Sequence, residues 1–260
     1  MIKTDTIRCE ISDHIAVVTM DRPPVNAIDR QMQFDMMTVM DELSETPEAR
    51  VAILTGAGKM FCAGSDLKAR RIAAETEGVG FHWAVQRRNR VMFDSITECA
   101  IPVIGALNGP ALGAGLVLAA ACDILIAADS AYVALPEIGV GLIGGGRHAQ
   151  RLFSHSKVRR MVLGGLRVPA AELYRLGVIE DSVPADTLME RARAIASEIS
   201  EKSPIAVRLG KHALNTGEFM TIRDGIRFET TQSRVLGDSE DAKEAQRAFA
   251  EKRKPVFKGR

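Results

Sequence analysis

A segment rich in small residues is the part of this sequence best suited to holding a negatively charged oxygen. Gly113, Ala114 and Gly115 stand where an apolar run, residues 102–107, gives way to a helix made mostly of Ala and Leu. The first N–H groups of a helix have no intrahelical partner and carry partial positive charge. Small side chains let a ligand oxygen approach them closely. The segment therefore predicts an oxyanion site; the alternative is a tight strand-to-helix turn that binds nothing.

Glu137 is the carboxylate best placed to act as a general base. It follows Pro136, whose fixed φ helps to set its direction. Burial among apolar residues would raise the pKa of this carboxyl group and make it a stronger base. A base beside the α- or γ-carbon of a carbonyl compound removes a proton when the resulting enolate is stabilised by N–H donors in a dry site. The alternative is a surface carboxylate near a turn.

His148 is a second titratable candidate, because it ends the glycine-rich segment GGGRH at residues 144–148. An imidazole at this place could act as an acid or base, hold a water molecule, or serve a structural role. The four cysteines are scattered without a C-x-x-C pair, which predicts buried, reduced thiols rather than a disulfide framework or a metal site. We expect no metal and no separate cofactor.

Composition restricts the environment and the partners. The chain has 260 residues, a formal net charge of +1 and 26% charged residues, so neither a nucleic acid nor a membrane surface is expected as a partner. The first residues lack the apolar core of a signal peptide, and no uncharged run reaches membrane-spanning length. These observations predict a cytoplasmic protein.

The elements that must position these residues alternate as strands and helices. We predict a hairpin from residues 7–11 and 15–20, a helix from Asp29 to about Glu45 and a buried strand at 51–55. Residues 70–80 are charged and contain two glycines, which predicts a mobile loop or a frayed helix. Further predicted strands are 103–107, 124–128, 131–134 and 179–183. After about Ser156 the pattern is mostly helical, with helices at 157–163, 170–176, 185–202, 204–217, 219–236 and 239–251.

Five segments in order carry a resemblance to a known family. They are RPPVNAI at 22–28, FCAGSDLK at 61–68, NGPALGAGLVLAAACD at 108–123, LPE with QRL at 135–137 and 150–152, and the C-terminal SEDAKE with FAEKRKP at 239–244 and 249–255. From about Ile15 to the C-terminus the chain resembles the crotonase family, also called the enoyl-CoA hydratase/isomerase superfamily.

The resemblance implies a fold, an assembly and a substrate class. The fold would be α/β, a spiral of strand–strand–helix repeats over residues 1–200, followed by a C-terminal helical region, 201–260, that builds trimers or dimers of trimers and covers the pocket. The substrate would be an acyl-CoA thioester. We expect residues 70–95 and the C-terminal helices to line its acyl pocket.

The resemblance also assigns roles to residues. The thioester carbonyl would lie between the N–H groups of Ala63 and Ala114, with Glu137 as the acid/base. The remaining substrate-binding residues implied are Ala27, Gly64, Ser65, Asp66, Lys68, Gly113, Val117 and His148. Ala27 and residues 63–66 would lie near the adenine end of CoA. Lys68 could bind a phosphate, or be a solvated surface lysine.

One departure from the family pattern bears on the reaction. Hydratases of this family carry a second glutamate early in the helix after the oxyanion turn, and that position is Val117 here. Valine can neither position nor deprotonate water. The sequence therefore favours double-bond isomerisation of an enoyl-CoA through Glu137 alone. The alternatives are a hydratase in which His148 or a substrate group replaces the missing glutamate, and a non-catalytic binding protein with the same fold.

Overall fold

A mainly parallel sheet of seven strands forms the centre of the computed structural model, which describes residues 2–78 and 80–260. The strand order is β1-β2-β3-β4-β5-β7-β10. The pairs from β3 onwards are parallel, whereas β1, β2 and β3 pair antiparallel. The strands of this sheet are β1 (Ile2–Lys3), β2 (Ile7–Ser12), β3 (Ile15–Met20), β4 (Val51–Gly56), β5 (Val103–Leu107), β7 (Ile124–Ala128) and β10 (Asp181–Val183).

A small second sheet and a series of helices complete the described part of the chain. The order of the second sheet is β6-β8-β9, formed by β6 (Ala111–Leu112), β8 (Tyr132–Ala134) and β9 (Val168–Pro169). The helices are α1 (Arg30–Glu45), α2 (Leu67–Glu77), α3 (Phe81–Thr97), α4 (Ala114–Ala121), α5 (Gly146–Leu152), α6 (His155–Gly164), α7 (Ala170–Arg175), α8 (Leu188–Ser200), α9 (Pro204–Gly217), α10 (Ile222–Gly237) and α11 (Glu240–Ala250). A 3-10 turn covers Glu137–Val140. The predicted α/β fold class is confirmed.

Local sequence signals explain the elements that were predicted well. The hairpin predicted from residues 7–11 and 15–20 forms as β2 and β3, and it turns through Asp13 and His14, both with positive φ. Asp29 accepts a hydrogen bond from the N–H of Met32 and so begins α1. The apolar side chains of α1 recur at helical spacing and are buried in the core; they are Met32, Met36, Val39, Met40 and Leu43.

The sheet is covered by helices on both faces. One core cluster joins the sheet to α1, α3 and α4, and the other joins it to α8. Ile53 and Ile104 of the central strands, for example, pack with Leu188 and Ala192 of α8. Because both faces are covered, β4 and β5 are buried along their whole length and contain continuous apolar runs. This packing fixes the loops that leave the carboxyl ends of the parallel strands.

The region predicted to be loose contains a helix. Of the two predicted alternatives, a mobile loop and a frayed helix, the structure has the helix: residues 67–77 form α2, because the Asp66 carboxylate accepts the Ala69 N–H and caps the first turn. Val79, within the same predicted region, lies outside the described residues.

Near the C-terminus, α9 and α10 pack against each other. None of the helices in the described ranges is long and apolar enough to cross a membrane.

Candidate active site

Two asparagines hold the loops after β3, β4 and β5 together. The Asn108 amide oxygen accepts the Gly56 N–H at 3.0 Å, and its amide group donates to the Gly58 carbonyl at 3.0 Å. Buried Asn26 donates to the carbonyls of Ala57 and Met60 at 3.0 and 2.9 Å. Side chains that satisfy several backbone groups at once fix loop geometry. These bonds place the two small-residue segments of the sequence side by side.

The two segments then pair with each other. The Cys62 N–H donates to the Pro110 carbonyl at 3.2 Å, and the Leu112 N–H donates to the Cys62 carbonyl at 2.9 Å. A Cβ on Gly115 would stand 2.4 Å from that same Cys62 oxygen, so only glycine permits this approach. A Cβ on Gly64 would stand 3.3 Å from the Ala114 nitrogen. The turn around Gly64 therefore lies against the first residue of α4.

The hydrogen bonds distinguish the donors that are free from those that are engaged. Ala114 is the first residue of α4, and no hydrogen bond of its N–H is found within the described residues. The same holds, across residues 2–78 and 80–260, for the Ser65 N–H. The Ala63 N–H, in contrast, donates to the Val25 carbonyl at 3.0 Å. Ala63 therefore does not offer the free N–H that the resemblance implied, since a ligand oxygen would have to displace a backbone partner.

Glu137 is the first residue of the 3-10 turn after Pro136, and its carboxylate lies beside Gly113, just before α4. One oxygen, Oε1, lies so close to Gly113 that a Cβ there would stand 2.5 Å away. The other, Oε2, is buried and has no hydrogen-bond partner among the residues that the structure describes. Burial raises the pKa of the Glu137 carboxyl group and outweighs a hydrogen bond from its own backbone. A carboxylate with one unpaired oxygen and a raised pKa is suited to accept a proton from a ligand.

His148 and Val117 lie beside the same space. The His148 ring contacts Phe93 edge to face, with ring centroids 5.5 Å apart. Burial is the main cause that lowers the pKa of His148; the charges of Arg151 and Arg147 lower it further, whereas Asp94 opposes them. The imidazole is therefore neutral at pH 7. Val117 is 3% exposed, and so an apolar group occupies the position of the second family glutamate.

These groups surround one cavity of about 420 Å³. Of the residues implied by the resemblance, Ala63, Gly64, Ser65, Gly113, Ala114, Val117, Glu137 and His148 line it. Among the lining residues of the described chain, Glu137 is the only carboxylate. The space thus combines two free backbone donors, one base and a mostly apolar wall, which suits removal of a proton next to a carbonyl group.

Three of the implied binding residues lie outside this lining. Asp66 has a structural role: besides capping α2 it accepts from Arg22 Nη2 at 2.8 Å, and the Ala69 hydrogen bond and that guanidinium lower its pKa. The Ala27 carbonyl accepts from Arg22 Nη1 at 3.0 Å. Lys68 is exposed on α2. The place of Ala27 and Asp66 near the adenine end of CoA and the phosphate contact of Lys68 both stay predictions.

Several lining residues were not singled out from the sequence. α3 contributes Gln86, Arg90 and Phe93, which share one helix face at spacings of four and three residues. α2 contributes Arg70, and the loop after Glu137 contributes three aliphatic side chains, namely Val140, Leu142 and Ile143. Residues of the 70–95 region thus line the cavity, and Gln86, Arg90 and Phe93 do so from one face of α3.

The C-terminal helices line a different space. A cavity of about 800 Å³ lies between the end of α3, α5 and α9, and it shares His148 with the smaller cavity. Its walls are charged: the Arg151 guanidinium, for example, pairs with Glu218 at 2.8 Å. Within the single chain, the prediction that C-terminal helices line the space around Glu137 does not match the structure.

The cysteines and the metal-binding residue types form no further site in the residues described. Cys9, Cys62, Cys99 and Cys122 are all buried and free. Burial raises the pKa of Cys9 to about 11 and that of Cys62 to about 12, so these thiols are poor nucleophiles. No group of three His, Cys, Asp or Glu within those ranges could hold a metal ion.

Known proteins are similar to this chain in sequence and in fold. The family described as enoyl-CoA hydratase/isomerase matches residues 10–260. Carnitinyl-CoA dehydratase from Escherichia coli is 39% identical over 259 residues, 95% of each chain. (E)-benzylidenesuccinyl-CoA hydratase from Thauera aromatica is 34% identical over 258 residues, 97% of this chain and 99% of its own. The crystal structure of enoyl-CoA hydratase from Bacillus anthracis superimposes with a TM-score of 0.92 at 31% identity, covering 98% and 100% of the two chains. The chain belongs to the enoyl-CoA hydratase/isomerase, or crotonase, family.

Proposed function

We propose that this protein is an acyl-CoA enzyme that moves the double bond of an enoyl-CoA through a thioester enolate. The observation that supports this choice is that Glu137 is the only carboxylate among the described residues lining the cavity. Double-bond migration needs one group that removes a proton and returns it. Addition of water needs a further group to position and activate the water molecule.

The reaction would begin with the thioester carbonyl between the Ser65 and Ala114 N–H groups. Glu137 removes a proton from C2 of a 3-enoyl thioester, and the electron pair is delocalised as a dienolate whose oxygen accepts both N–H bonds. The protonated carboxyl group then returns the proton to C4, which leaves the 2-enoyl isomer. No atom is gained or lost. The raised pKa of Glu137 brings its basicity closer to that of the carbon acid.

The apolar walls would assist by excluding water. Val117 and Phe93 are buried beside the site, whereas Val140 and Ile143, which line another side, are 58% and 86% exposed in the single chain. An acyl-CoA bound in the cavity would cover these two side chains. In a dry site each N–H donor stabilises a developing oxyanion more strongly than it does in water. The CoA portion would extend from this cavity across the surface near Ala27 and Lys68.

Exchange of substrate protons with deuterated solvent tests the proposal. A 3-enoyl-CoA incubated in D₂O should be converted to the 2-enoyl isomer, and mass spectrometry should detect deuterium in the acyl chain of those molecules for which the protonated Glu137 exchanged with solvent before it returned its proton. Glu137→Gln keeps the shape of the side chain but removes the base, so conversion should fall by about a hundredfold or more. Glu98→Gln is the matched control, because Glu98 lines only the larger cavity and should leave conversion unchanged.

Hydration or dehydration is the second candidate, and His148 is the observation that favours it. Its neutral imidazole lines the same cavity as Glu137 and could accept a proton from water. The carnitinyl-CoA dehydratase and benzylidenesuccinyl-CoA hydratase relatives carry names of this reaction class. If this candidate is correct, His148→Gln should abolish water addition to a 2-enoyl-CoA. In the isomerase, the same change should leave double-bond migration largely intact.

A non-catalytic binding protein is the third class, and the buried, unpaired Glu137 oxygen speaks against it. Binding a finished ligand does not require a carboxylate without a partner, which costs stability. Tight binding of acyl-CoA thioesters without turnover or solvent exchange would support this class.

A further inference from the structure

Two arginines line the cavity without an ionic partner in the described part of the chain. Arg70 comes from α2 and Arg90 from α3. Within residues 2–78 and 80–260, neither guanidinium forms a salt bridge or a side-chain hydrogen bond. Other arginines are engaged: Arg22 binds two aspartates, Arg88 donates to the Gln33 side chain, and Arg151 binds Glu218. Arg71 and Arg87 also lack a side-chain partner among the described residues, but they lie outside the lining. Arg70 is half-buried and Arg90 is exposed at the edge of the cavity.

The resulting charge does not match a simple hydrocarbon chain. Arg70 and Arg90 contribute two positive charges to the lining, whereas Glu137 is the only acid in the described lining. His148 adds no positive charge at neutral pH because its pKa is lowered. An unsubstituted enoyl chain needs only the apolar wall that the same cavity provides. A cavity with excess positive charge favours a ligand that brings a negative charge of its own.

The position of Arg90 on α3 places this charge near the reacting end of the cavity. Arg90 lies three residues before Phe93, about one helical turn, and Phe93 contacts the His148 ring. The face that carries Gln86, Arg90 and Phe93 therefore runs from a charged section to the apolar section beside His148. A guanidinium offers up to five N–H donors in a planar fork that matches carboxylate and phosphate oxygens.

We propose that Arg90, assisted by Arg70, binds a second anionic group of the substrate, distinct from the thioester oxygen. The group is a carboxylate carried on the acyl chain, whose two oxygens match the geometry that a guanidinium recognises. This inference rests on the proposed function in taking the ligand to be an acyl-CoA. It adds a specificity-determining pair of residues to that site.

Binding of unreactive ligands tests the inference independently of turnover. Glutaryl-CoA carries a distal carboxylate and butyryl-CoA lacks it, and each can also be prepared as the pantetheine thioester, which lacks the CoA phosphates. The dissociation constants of all four would be measured by titration calorimetry on the wild type, on Arg90→Gln and on Arg70→Gln. Arg87→Gln is the control, since Arg87 is exposed on α3 and lies outside the lining.

The pattern of losses identifies the anionic group. An acyl-carboxylate partner is indicated when Arg90→Gln weakens glutaryl thioesters of both kinds by about tenfold or more and spares butyryl thioesters, as expected for a lost charge-assisted hydrogen bond. Arg70→Gln should show the same selectivity. If Arg90→Gln weakens both CoA thioesters and spares both pantetheine thioesters, Arg90 binds only the CoA phosphates and the inference is overturned.

Other results would overturn the inference. Affinities unchanged by Arg90→Gln, or weakened equally for all four ligands, would show that Arg90 recognises no anionic group. Equal losses in Arg87→Gln would show a general effect of surface charge. The proposed function can fail separately: an Arg90 effect on binding in a protein whose Glu137→Gln variant retains full isomerisation would support this subsite and contradict the acid/base role.

Discussion

The Glu137 carboxylate lies directly against the α-carbon of Gly113, such that a Cβ on Gly113 would stand 2.5 Å from Glu137 Oε1. Gly113 also has φ of +55° and ψ of −120°, a conformation that side chains strongly disfavour. The residue that begins the oxyanion turn thus also makes room for the proposed base. Gly113 thus helps to position both the oxyanion donor and the base.

Gly113→Ala should therefore damage turnover as well as stability. We expect a loss of roughly 1–3 kcal/mol of unfolding free energy from the backbone conformation. Turnover should fall by roughly a hundredfold because the carboxylate must move away from its position. Chemical denaturation and steady-state kinetics would measure both. Gly165→Ala is the control: φ is +64° there, but the added Cβ meets nothing within 4 Å, so stability should fall without loss of turnover.

Glu137→Gln should make the folded protein more stable at neutral pH. Since burial raises the pKa of Glu137 in the folded state, the unfolded chain ionises first as pH rises. Ionised Glu137 therefore costs stability above the raised folded-state pKa, and this cost disappears below the ordinary glutamate pKa. Thermal unfolding of wild type and variant from pH 4 to pH 8 should show equal stability at the acid end and a growing advantage for the variant. A wild type that is more stable than the variant at pH 7 would contradict the unpaired state of the carboxylate.

Removing one backbone donor should strongly lower turnover while leaving the helix intact. Ala114→Pro deletes the N–H at the first residue of α4, where proline is tolerated. The loss of one oxyanion donor should lower kcat by about a hundredfold or more. Ala114→Gly and Ser65→Ala keep their N–H groups and should retain turnover. Circular dichroism checks the fold of each variant. Full activity in a folded Ala114→Pro protein would exclude this donor.

The chain should assemble as a multiple of three subunits. α9, α10 and the segment between them expose large apolar side chains to an unusual extent: Leu214 is 77%, Phe219 74% and Ile222 84% exposed. Apolar surface of this kind favours burial against another copy. Light scattering in dilute buffer should give a trimer or hexamer mass, and Leu214→Asp with Ile222→Asp should lower it. A wild-type monomer or dimer would contradict the expectation.

The sequence identified the main elements of the site but not which N–H group is free. Glu137, Ala114 and the two small-residue segments are visible in the sequence because proline, glycine and alanine restrict what these positions can do. Whether Ala63 or Ser65 offers its N–H depends on the Val25 carbonyl, which lies distant in sequence and meets Ala63 only in the folded chain. For residues 70–80 the sequence left a mobile loop and a frayed helix open, and the Asp66 cap explains why residues 67–77 form the helix.

The most direct test of the single-base account compares two reactions in the unmodified protein. Initial rates would be measured for conversion of a 3-enoyl-CoA to its 2-enoyl isomer and for hydration of crotonyl-CoA, with mass spectrometry to count added water. With Val117 in place of a second acid and Glu137 as the only lining carboxylate in the described chain, isomerisation should be faster by a wide margin. A hydration rate that equals or exceeds the isomerisation rate would contradict the single-base account. It would indicate that a second group transfers a proton, and His148 would be the first candidate.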